Sequence, residues 1–265
     1  MRSRPHIELD SPTPEAIDGR HIRALSFQAV RMEYLAKVAP DGTGRRALVV
    51  GGGRGLPAAG LARLGYRVTA VDPSPIATEY ARAAHERDGL AIASEVADAE
   101  ELPFADGEFD LAYCADTFEV TADLDRVLAH AARILRPGGT LVYDTVNRTP
   151  LSRLIYLGAF QAIPATRIMP PHRYAAARLR TPAELTAALA RHGLHNRDIC
   201  DFKPRDPRTL IQAILARRAG RITDDEIPPL VDFVLSPAAR PVVTYLGHAR
   251  KPAYLGHARK PAAGG

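Results

Sequence analysis

In the first half of the chain, apolar residues switch between helical and extended spacing. Over 21–38 they recur three or four positions apart, which predicts a first helix with one apolar face. Short apolar runs then alternate with helical segments. The predicted strands are 47–50, 67–71, 90–96, 109–114 and 140–145, and the predicted helices between them are 57–64, 75–87 and 123–135. This alternation favours a parallel sheet with helices on both faces and a ligand site at the carboxyl ends of the strands.

The second half has weaker periodicity. Residues 147–180 lack a clear period and contain several prolines, so we expect a lid insertion rather than a linker between domains. The sequence TPAE at 181–184 is a capping box with proline at the first helical position, which predicts a helix ending near 192. The remaining predicted elements are strands at 194–202 and 241–246, a helix at 209–218 and a turn at 137–139. We therefore expect a single domain over residues 1–253.

Composition fits this picture. A chain of 265 residues with 46% hydrophobic and 25% charged residues suits one large globular domain. Cys114 and Cys200 are too few for a disulfide framework, which favours a reducing cytoplasm. The N-terminus has no apolar run of signal-peptide length, and 154–169 is too short and too polar to span a membrane. We expect that stretch to make peripheral contact with a membrane or with a hydrophobic substrate.

The net charge of +5 does not indicate a nucleic-acid partner. Four of the cations lie after Tyr245 without any acid, so the basic character belongs to the C-terminus rather than to a folded face. This terminus contains the sequence YLGHARKPA twice, at 245–253 and at 254–262. We expect the first copy to end the last strand and residues 254–265 to be a disordered extension.

A glycine-rich turn follows the first predicted strand and opens the next helix. Gly51, Gly53 and Gly55 have the spacing G-x-G-x-G, whereas a dinucleotide fingerprint would require glycine in place of Leu56. Glycine lets a ligand approach bare backbone at such a turn. The alternative is an ordinary connection between a strand and a helix.

Acidic residues follow the next two strands. Asp72, 21 positions after Gly51, can accept hydrogen bonds from both hydroxyls of a ribose, which indicates a nucleoside ligand. Alternatively, Asp72 caps the turn at 73–75. Asp98 is placed to accept a hydrogen bond from an adenine amine, although a solvated loop acid would look the same.

Together these motifs resemble the class I S-adenosylmethionine-dependent methyltransferases. The matching segments are ALVVGGGRG (47–55), VTAVDPSP (68–75), VADAEELPFADGEFDL (96–111) and RILRPGGTLVYDT (133–145). Later segments resemble the quinone O-methyltransferases of ubiquinone biosynthesis, so that the resemblance covers 21–251. These segments are CADTFEV (114–120), NRTPLSRLIYLGAF (147–160), PHRY (171–174), the TPAEL helix (181–185) and VTYLGHARK (243–251). The resemblance implies an α/β fold with a Rossmann-like, mostly parallel sheet of seven strands, helices on both faces and an antiparallel last strand.

The resemblance also implies roles for individual residues. The implied S-adenosylmethionine-binding residues are Gly51, Gly53 and Gly55 along the methionine part, Asp72 and Pro73 at the ribose, Asp98 and Ala99 at the adenine, and Cys114 close by. Arg54 departs from the family, which has a small or polar residue there. It would pair with the cofactor carboxylate, point to solvent or crowd the pocket.

Three residues are candidates for helping to remove the proton of the methyl acceptor. His172, in the predicted lid, matches a family histidine and has a side chain suited to general-base work. Asp116 and Glu119 match the acids of an acid-x-x-Glu-His pattern that is thought to hold a divalent cation in the ubiquinone enzymes. Here Val120 replaces the histidine, so we expect no complete metal site, although two carboxylates alone can hold Mg²⁺. The alternative is that these acids belong to the substrate pocket or start a helix.

We therefore expect methyl transfer from S-adenosylmethionine to a hydroxyl of a phenolic, quinol or similar hydrophobic small molecule. The alternatives are a carbon or nitrogen acceptor and a non-catalytic cofactor-binding protein, the latter motivated by Val120. Nucleic-acid methylation is weaker because CADT at 114–117 replaces the Asn/Asp-Pro-Pro-aromatic run that grips an extruded adenine. Leu56 disfavours an NAD-dependent oxidoreductase. The oligomeric state stays open.

Overall fold

The computed structural model describes residues 5–11, 13, 15–237 and 240–253. The expected disordered extension, 254–265, lies outside the described residues. The strands are β1 (Arg46–Val50), β2 (Arg67–Asp72), β3 (Ala93–Val96), β4 (Phe109–Cys114), β5 (Leu135–Val146), β6 (His195–Pro204), β7 (Phe233–Ser236) and β8 (Thr244–Arg250). The α-helices are α1 (Gly19–Val38), α2 (Leu56–Arg63), α3 (Pro75–Arg87), α4 (Leu124–Ile134), α5 (Pro150–Arg153), α6 (Pro182–Arg191) and α7 (Pro207–Arg218). A π-helical turn, Leu154–Ala159, and two 3₁₀ turns, Ala176–Arg178 and Pro228–Leu230, complete the elements.

The strands form one sheet in the order β3-β2-β1-β4-β5-β8-β6-β7. The first five strands in this order are parallel, whereas β8 runs antiparallel to both β5 and β6. This confirms the mostly parallel sheet and the antiparallel last strand. The sheet has eight strands rather than seven, because the short strand β7 pairs with the outer edge of β6. Its four residues, Phe-Val-Leu-Ser, do not alternate between apolar and polar, so the period of the sequence did not mark it as a strand.

Helix starts follow their capping side chains. Asp18 accepts hydrogen bonds from the backbone N–H groups of Arg20 and His21, which starts α1 at Gly19. The capping box at Thr181 and Glu184 is present, with each side chain accepting a bond from the other's backbone. These local bonds explain why the helix positions could be predicted within a few residues.

The predicted turn at 137–139 is instead part of β5. The pairing of β4 with β5 shifts from Phe109–Leu135 to Leu111–Thr140, so the residues between Leu135 and Thr140 form a bulge. Gly138 adopts a φ of +80° there, and the bulge keeps its backbone bonds by pairing with Lys251. Proline and glycine therefore mark an irregular strand here and not the end of one.

Helices cover both faces of the sheet. One core cluster joins α4 and α6 to the sheet, and a second joins α1 and α2 to its other face. A third cluster lies at the carboxyl end of β5, where Tyr156 and Met169 of the predicted lid pack with Ile17 and Ile214. The residues before α1, the segment 147–180 and α7 thus form one layer beside the strand ends. Among the described residues, no helix is long and apolar enough to cross a membrane.

Candidate active site

A cavity of about 390 Å³ opens at the carboxyl ends of β1, β2 and β4. Its walls come from the glycine-rich turn after β1, from the ends of β2 and β4, and from two further sources, the N-terminal residues and the segment 147–180. The lining residues used below are Asp10, Asp18, Arg20, Ala24, Arg31, Gly51, Gly52, Gly53, Arg54, Asp72, Pro73, Asp98, Ala99, Ala115, Asp116, Thr117, Val120, Ala122 and Arg173. Ligand sites in open parallel sheets lie at this edge.

The glycine-rich turn presents bare backbone to the cavity. Gly51 has a φ of +74°, and a Cβ atom on it would lie 2.6 Å from the Ala115 carbonyl oxygen and 2.6 Å from Thr117 Oγ1. Gly53 has a φ of +52°, and its N–H donates a 2.9 Å hydrogen bond to Asp72. Only glycine fits at position 51 without displacing the end of β4.

Two of the expected cofactor residues do not line this cavity. Gly55 precedes α2 with a φ of +90°, and a Cβ there would lie 2.4 Å from Nε2 of His85, which donates to the Gly55 carbonyl oxygen at 3.1 Å. Gly55 is therefore required by the packing of α2 against α3. Cys114 is fully buried within a core cluster, where burial raises the pKa of its thiol. Its side chain faces away from the cavity because side chains alternate along a strand and Ala115 is the residue that reaches the lining.

Asp72 ends β2 and is 2% exposed. Its Oδ2 accepts a hydrogen bond from Gly53 N–H and an ion-pair bond of 2.5 Å from the Arg20 guanidinium, while its Oδ1 accepts from Ser74 N–H at 3.0 Å. Asp72 thus caps the turn, as the alternative interpretation held, and also faces the cavity. Arg20 pairs with Asp10 at 3.3 Å as well, so the start of α1 covers this part of the site.

Arg54 bonds to the N-terminal residues, a contact that none of its three expected placements included. Its guanidinium donates to the Ser11 carbonyl oxygen at 2.9 Å and pairs with Asp18 at 3.0 Å. The same group lies 4.8 Å from the centre of the Tyr80 ring. Arg54 therefore holds the N-terminal residues against the glycine-rich turn.

The acids after β4 belong to a buried ion cluster, which we define as Arg23, Arg31, Asp116, Glu119 and Asp144. Arg23 Nη2 lies 2.5 Å from Asp116 Oδ1 and 2.9 Å from Glu119 Oε1. Arg31 Nη2 lies 2.6 Å from Asp116 Oδ2 and 2.7 Å from Asp144 Oδ1. Both arginines come from α1, so this helix supplies the positive charge for three carboxylates at the ends of β4 and β5.

The cluster has three carboxylates and two guanidiniums, and this imbalance divides its acids. Although burial disfavours its ionised form, the Arg23 and Arg31 guanidiniums hold the pKa of Asp116 well below its usual range. Burial, together with the negative charge of Asp116, raises the pKa of Asp144 to about 7. A proton on Asp144 leaves two carboxylates beside the two guanidiniums, and Asp116 is the ionised acid that lines the cavity.

The three candidate proton acceptors occupy different environments. Asp116 lines the cavity and is 23% exposed, with a left-handed backbone at φ +49°. Glu119 is fully buried and bonded to Arg23 and to the Thr145 hydroxyl, which lies 3.0 Å from its Oε2. His172 is exposed and does not line the cavity, so the structure gives no geometric support for the predicted general base. The neighbouring Arg173 lines the cavity instead.

Sequence reasoning missed the contribution of α1. Arg23 and Arg31 lie on the same helix face as the buried Phe27, Val30 and Tyr34. Two arginines on an otherwise apolar face were the available signal, because charged side chains are rarely buried without partners. The sequence could not show which acids they meet, since those acids lie more than eighty residues further along the chain.

Comparisons with known proteins agree with this geometry. Residues 48–143 match a family model described as a methyltransferase domain. The chain is 33% identical over 184 residues to a ubiquinone biosynthesis O-methyltransferase of Xanthomonas axonopodis pv. citri, covering 69% of this chain and 75% of the relative. The residues matched by the family model include the glycine-rich turn and the ends of β2 and β4.

Solved structures share the fold at lower identity. The YcgJ protein from Bacillus subtilis superposes with a TM-score of 0.63 at 17% identity, covering 85% of this chain and all of that one (100%). A protein from Thermotoga maritima described as a possible histamine N-methyltransferase superposes with a TM-score of 0.59 at 20% identity, covering 88% and 93%. These similarities show that the arrangement of the sheet and its helices is shared with solved structures.

The raised pKa of Asp144 predicts a pH-dependent stability. The usual pKa of an aspartate is 3.8. As pH rises from this value towards 7, the unfolded chain gives up the Asp144 proton before the folded protein does, so the folded state loses stability. In Asp144→Asn the side chain stays neutral, and its stability relative to the wild type should increase by about 1–4 kcal/mol across this range. Denaturant unfolding at pH 4, 5, 6 and 7 measures the difference, and a difference that stays constant with pH would contradict the assignment.

Proposed function

Because the chain belongs to the S-adenosylmethionine-dependent methyltransferases, we propose that it methylates a hydroxyl of a phenolic, quinol or similar hydrophobic small molecule. The observation that carries this proposal is the make-up of the wall beyond the glycine-rich turn. There the ionised Asp116 lies with the small apolar residues Ala24, Val120 and Ala122, while the nearby Glu100 carboxylate accepts hydrogen bonds from the Ala122 and Asp123 N–H groups. A carboxylate beside small apolar side chains favours a mostly apolar molecule that donates a hydrogen bond.

The residues at the other end of the cavity fit S-adenosylmethionine. A Cβ atom would close the approach at Gly51, the backbone at Gly52 and Gly53 faces the cavity, and the Asp72 carboxylate is buried at its wall. In our proposal Gly51 and Gly53 lie along the methionine part, Asp72 and Pro73 bind the ribose, and Asp98 and Ala99 meet the adenine. Since Arg20 bonds to Asp72, it must share or release that carboxylate when a ribose binds.

The cofactor supplies a methyl group made electrophilic by the positive sulfur. The protein's own task is to align the acceptor oxygen with that carbon, to exclude water and to receive the hydroxyl proton. We assign the acceptor hydroxyl to Asp116, whose low pKa keeps it an ionised hydrogen-bond acceptor. The proton that methylation releases passes along this hydrogen bond and on to solvent at the exposed edge of the carboxylate, because Asp116 does not retain it. Glu119 acts as a positioning residue, because it is fully buried and bonds to Arg23, which in turn bonds to Asp116.

Two alternatives have specific support. A carbon or nitrogen acceptor needs the same alignment, and one fold relative is described as a possible histamine N-methyltransferase. A non-catalytic cofactor-binding protein is favoured by Val120 and by the exposed position of His172. We rank both below hydroxyl methylation because the relative at 33% identity is named an O-methyltransferase.

The proposal extends to surroundings and partners. Cys114 and Cys200 are free and buried, which supports a reducing compartment, and we propose the cytoplasm. The exposed Leu151 and Leu154 of the segment 147–180 support peripheral contact with a membrane or with an apolar substrate. We propose no nucleic-acid partner, since the excess cations lie at the C-terminus.

The direct test is mass spectrometry of methyl transfer. Purified protein and S-adenosylmethionine are incubated with demethylated quinols, catechols and simple phenols, and with amine-bearing and carbon-nucleophile analogues of the same size. We expect a mass increase of one methyl group on a hydroxyl-bearing acceptor. Cofactor binding without transfer to any acceptor would favour the non-catalytic alternative, and transfer only to an amine or carbon would overturn the hydroxyl assignment.

Loss of the Asp72 carboxylate should weaken cofactor binding. A hydrogen bond to a charged group contributes about 1.5–3 kcal/mol, so Asp72→Ala should raise the Kd for S-adenosylmethionine by about ten- to a hundredfold. Isothermal titration calorimetry measures this change. The matched control is Asp10→Asn, which removes the other carboxylate of Arg20 and should alter Kd by less than about threefold. Equal effects of the two variants would show that Asp72 acts by holding Arg20 and not by binding ribose.

Asp116 and His172 should differ sharply in their effect on turnover. Asp116→Asn keeps the shape of the side chain and suits the left-handed backbone, because asparagine tolerates positive φ. We expect it to lower kcat by about 10²- to 10⁴-fold while the Kd for the cofactor changes little. His172→Ala, whose side chain is exposed and away from the cavity, should keep kcat close to that of the wild type. The reverse order of effects would assign the acceptor hydroxyl to His172 instead.

A further inference from the structure

Asp116 and Glu119 share a single positively charged partner. The Nη2 nitrogen of Arg23 lies 2.5 Å from Asp116 Oδ1 and 2.9 Å from Glu119 Oε1. A divalent cation held by these two carboxylates would have to occupy the same position between their oxygens. A guanidinium nitrogen therefore stands where the family resemblance implies a metal ion.

Arg23 is fixed in this position by its surroundings. Its side chain is 5% exposed, and its Nη1 nitrogen donates a 2.6 Å hydrogen bond to the Tyr174 hydroxyl. The centre of its guanidinium lies 5.0 Å from the Tyr156 ring, 5.4 Å from the Phe27 ring and 5.7 Å from the Tyr174 ring. Such cation–π contacts stabilise a desolvated guanidinium. Withdrawing it would leave the fully buried Glu119 without its charge partner.

The remaining donors do not fit a divalent cation. Val120, which also lines the cavity, offers no ligand atom. In the part of the chain that the structure describes, no three His, Cys, Asp or Glu residues are grouped so as to hold a metal ion. Arg31 adds a second guanidinium 2.6 Å from Asp116, so an added divalent ion would meet two fixed positive charges.

We propose that the Arg23 guanidinium is a built-in cation that replaces a divalent metal at Asp116 and Glu119, and that the enzyme consequently recognises a single hydroxyl of its acceptor. A metal ion selects a pair of adjacent oxygens by binding both. The Asp116 carboxylate, held in place by Arg23 and Arg31, instead accepts a hydrogen bond from one hydroxyl of the acceptor. The part concerning the acceptor rests on the proposed function, whereas the replacement of the metal rests on the ion cluster alone.

The replacement can be tested without cofactor or acceptor. Mn²⁺ is titrated into four proteins, and the free ion is followed by electron paramagnetic resonance. The proteins are the wild type, Val120→His, Arg23→Met and the double variant Arg23→Met/Val120→His. The double variant removes the guanidinium and restores the family histidine, so it should gain one Mn²⁺ site per chain at least about tenfold tighter than any site in the wild type. Val120→His alone should gain none, because Arg23 still occupies the position.

Two controls establish where the gained Mn²⁺ site lies and whether each variant is folded. Adding Glu119→Gln to the double variant should abolish Mn²⁺ binding, and thermal unfolding establishes that each variant is folded. A folded double variant that binds no Mn²⁺ would overturn the proposal. If the double variant does not fold, the wild type decides, since an Mn²⁺ site in the wild type that is lost in Asp116→Asn would equally overturn it.

The acceptor part is tested by methyl transfer with a chelator. We expect a monohydroxy phenol to be methylated at the same rate with and without EDTA, and no slower than the matching catechol. A fall of tenfold or more in EDTA that Mg²⁺ restores would overturn the proposal. Failure of the proposed function would look different, because no acceptor would be methylated under either condition while the Mn²⁺ results would stand.

Discussion

Compensation of buried charge is the constraint on which this site depends. Arg23 and Arg31 of α1 are almost completely buried, and a buried guanidinium is stable only beside a carboxylate that is also bonded. Their partners, Asp116, Glu119 and Asp144, lie at or just beyond the ends of β4 and β5. Removing one partner from such a pair costs about 3–5 kcal/mol, so α1 and the strand ends are fixed relative to each other. The acceptor side of the cavity takes its shape from that attachment.

The same helix also reaches the cofactor side of the cavity. Arg20, at the start of α1, bonds to Asp72, and Arg54 of the glycine-rich turn bonds to Asp18, the capping residue of α1. One helix therefore connects the ribose-binding carboxylate of our proposal with the carboxylate that we assign to the acceptor. A ligand that draws Arg20 from Asp72 would act on the helix that carries Arg23 and Arg31. In our proposal, the residues that bind the cofactor and the position of Asp116 are therefore connected through α1, which carries Arg20, Arg23 and Arg31.

The sequence predicted the parts of the fold that are set by local bonds. Ser74, Asp123 and Thr181 cap helices within their own turns, and the apolar runs of the parallel strands are read directly. The strand β7 and the bulge before Thr140 escaped prediction because each exists only through pairing with a distant strand. In the site, Gly51, Gly53, Asp72, Asp98 and Asp116 all line the cavity, as expected of residues that follow strand ends. Gly55, Cys114 and His172 do not, since their environments depend on α3, on the core and on the course of the segment 147–180.

The sequence by itself determined the order of the parallel strands and of the helices between them, the glycine-rich turn and the acids that follow the strands, because each of these arises from neighbours a few residues apart. Only the tertiary structure decided which charges meet. Arg23 meets Asp116, which lies 93 positions further along the chain, and that contact, not the identity of either residue, makes the acids partners of a guanidinium. The physical reason is that ion pairing depends on distance in space and on exclusion of water, and neither quantity is written in the local pattern of a sequence.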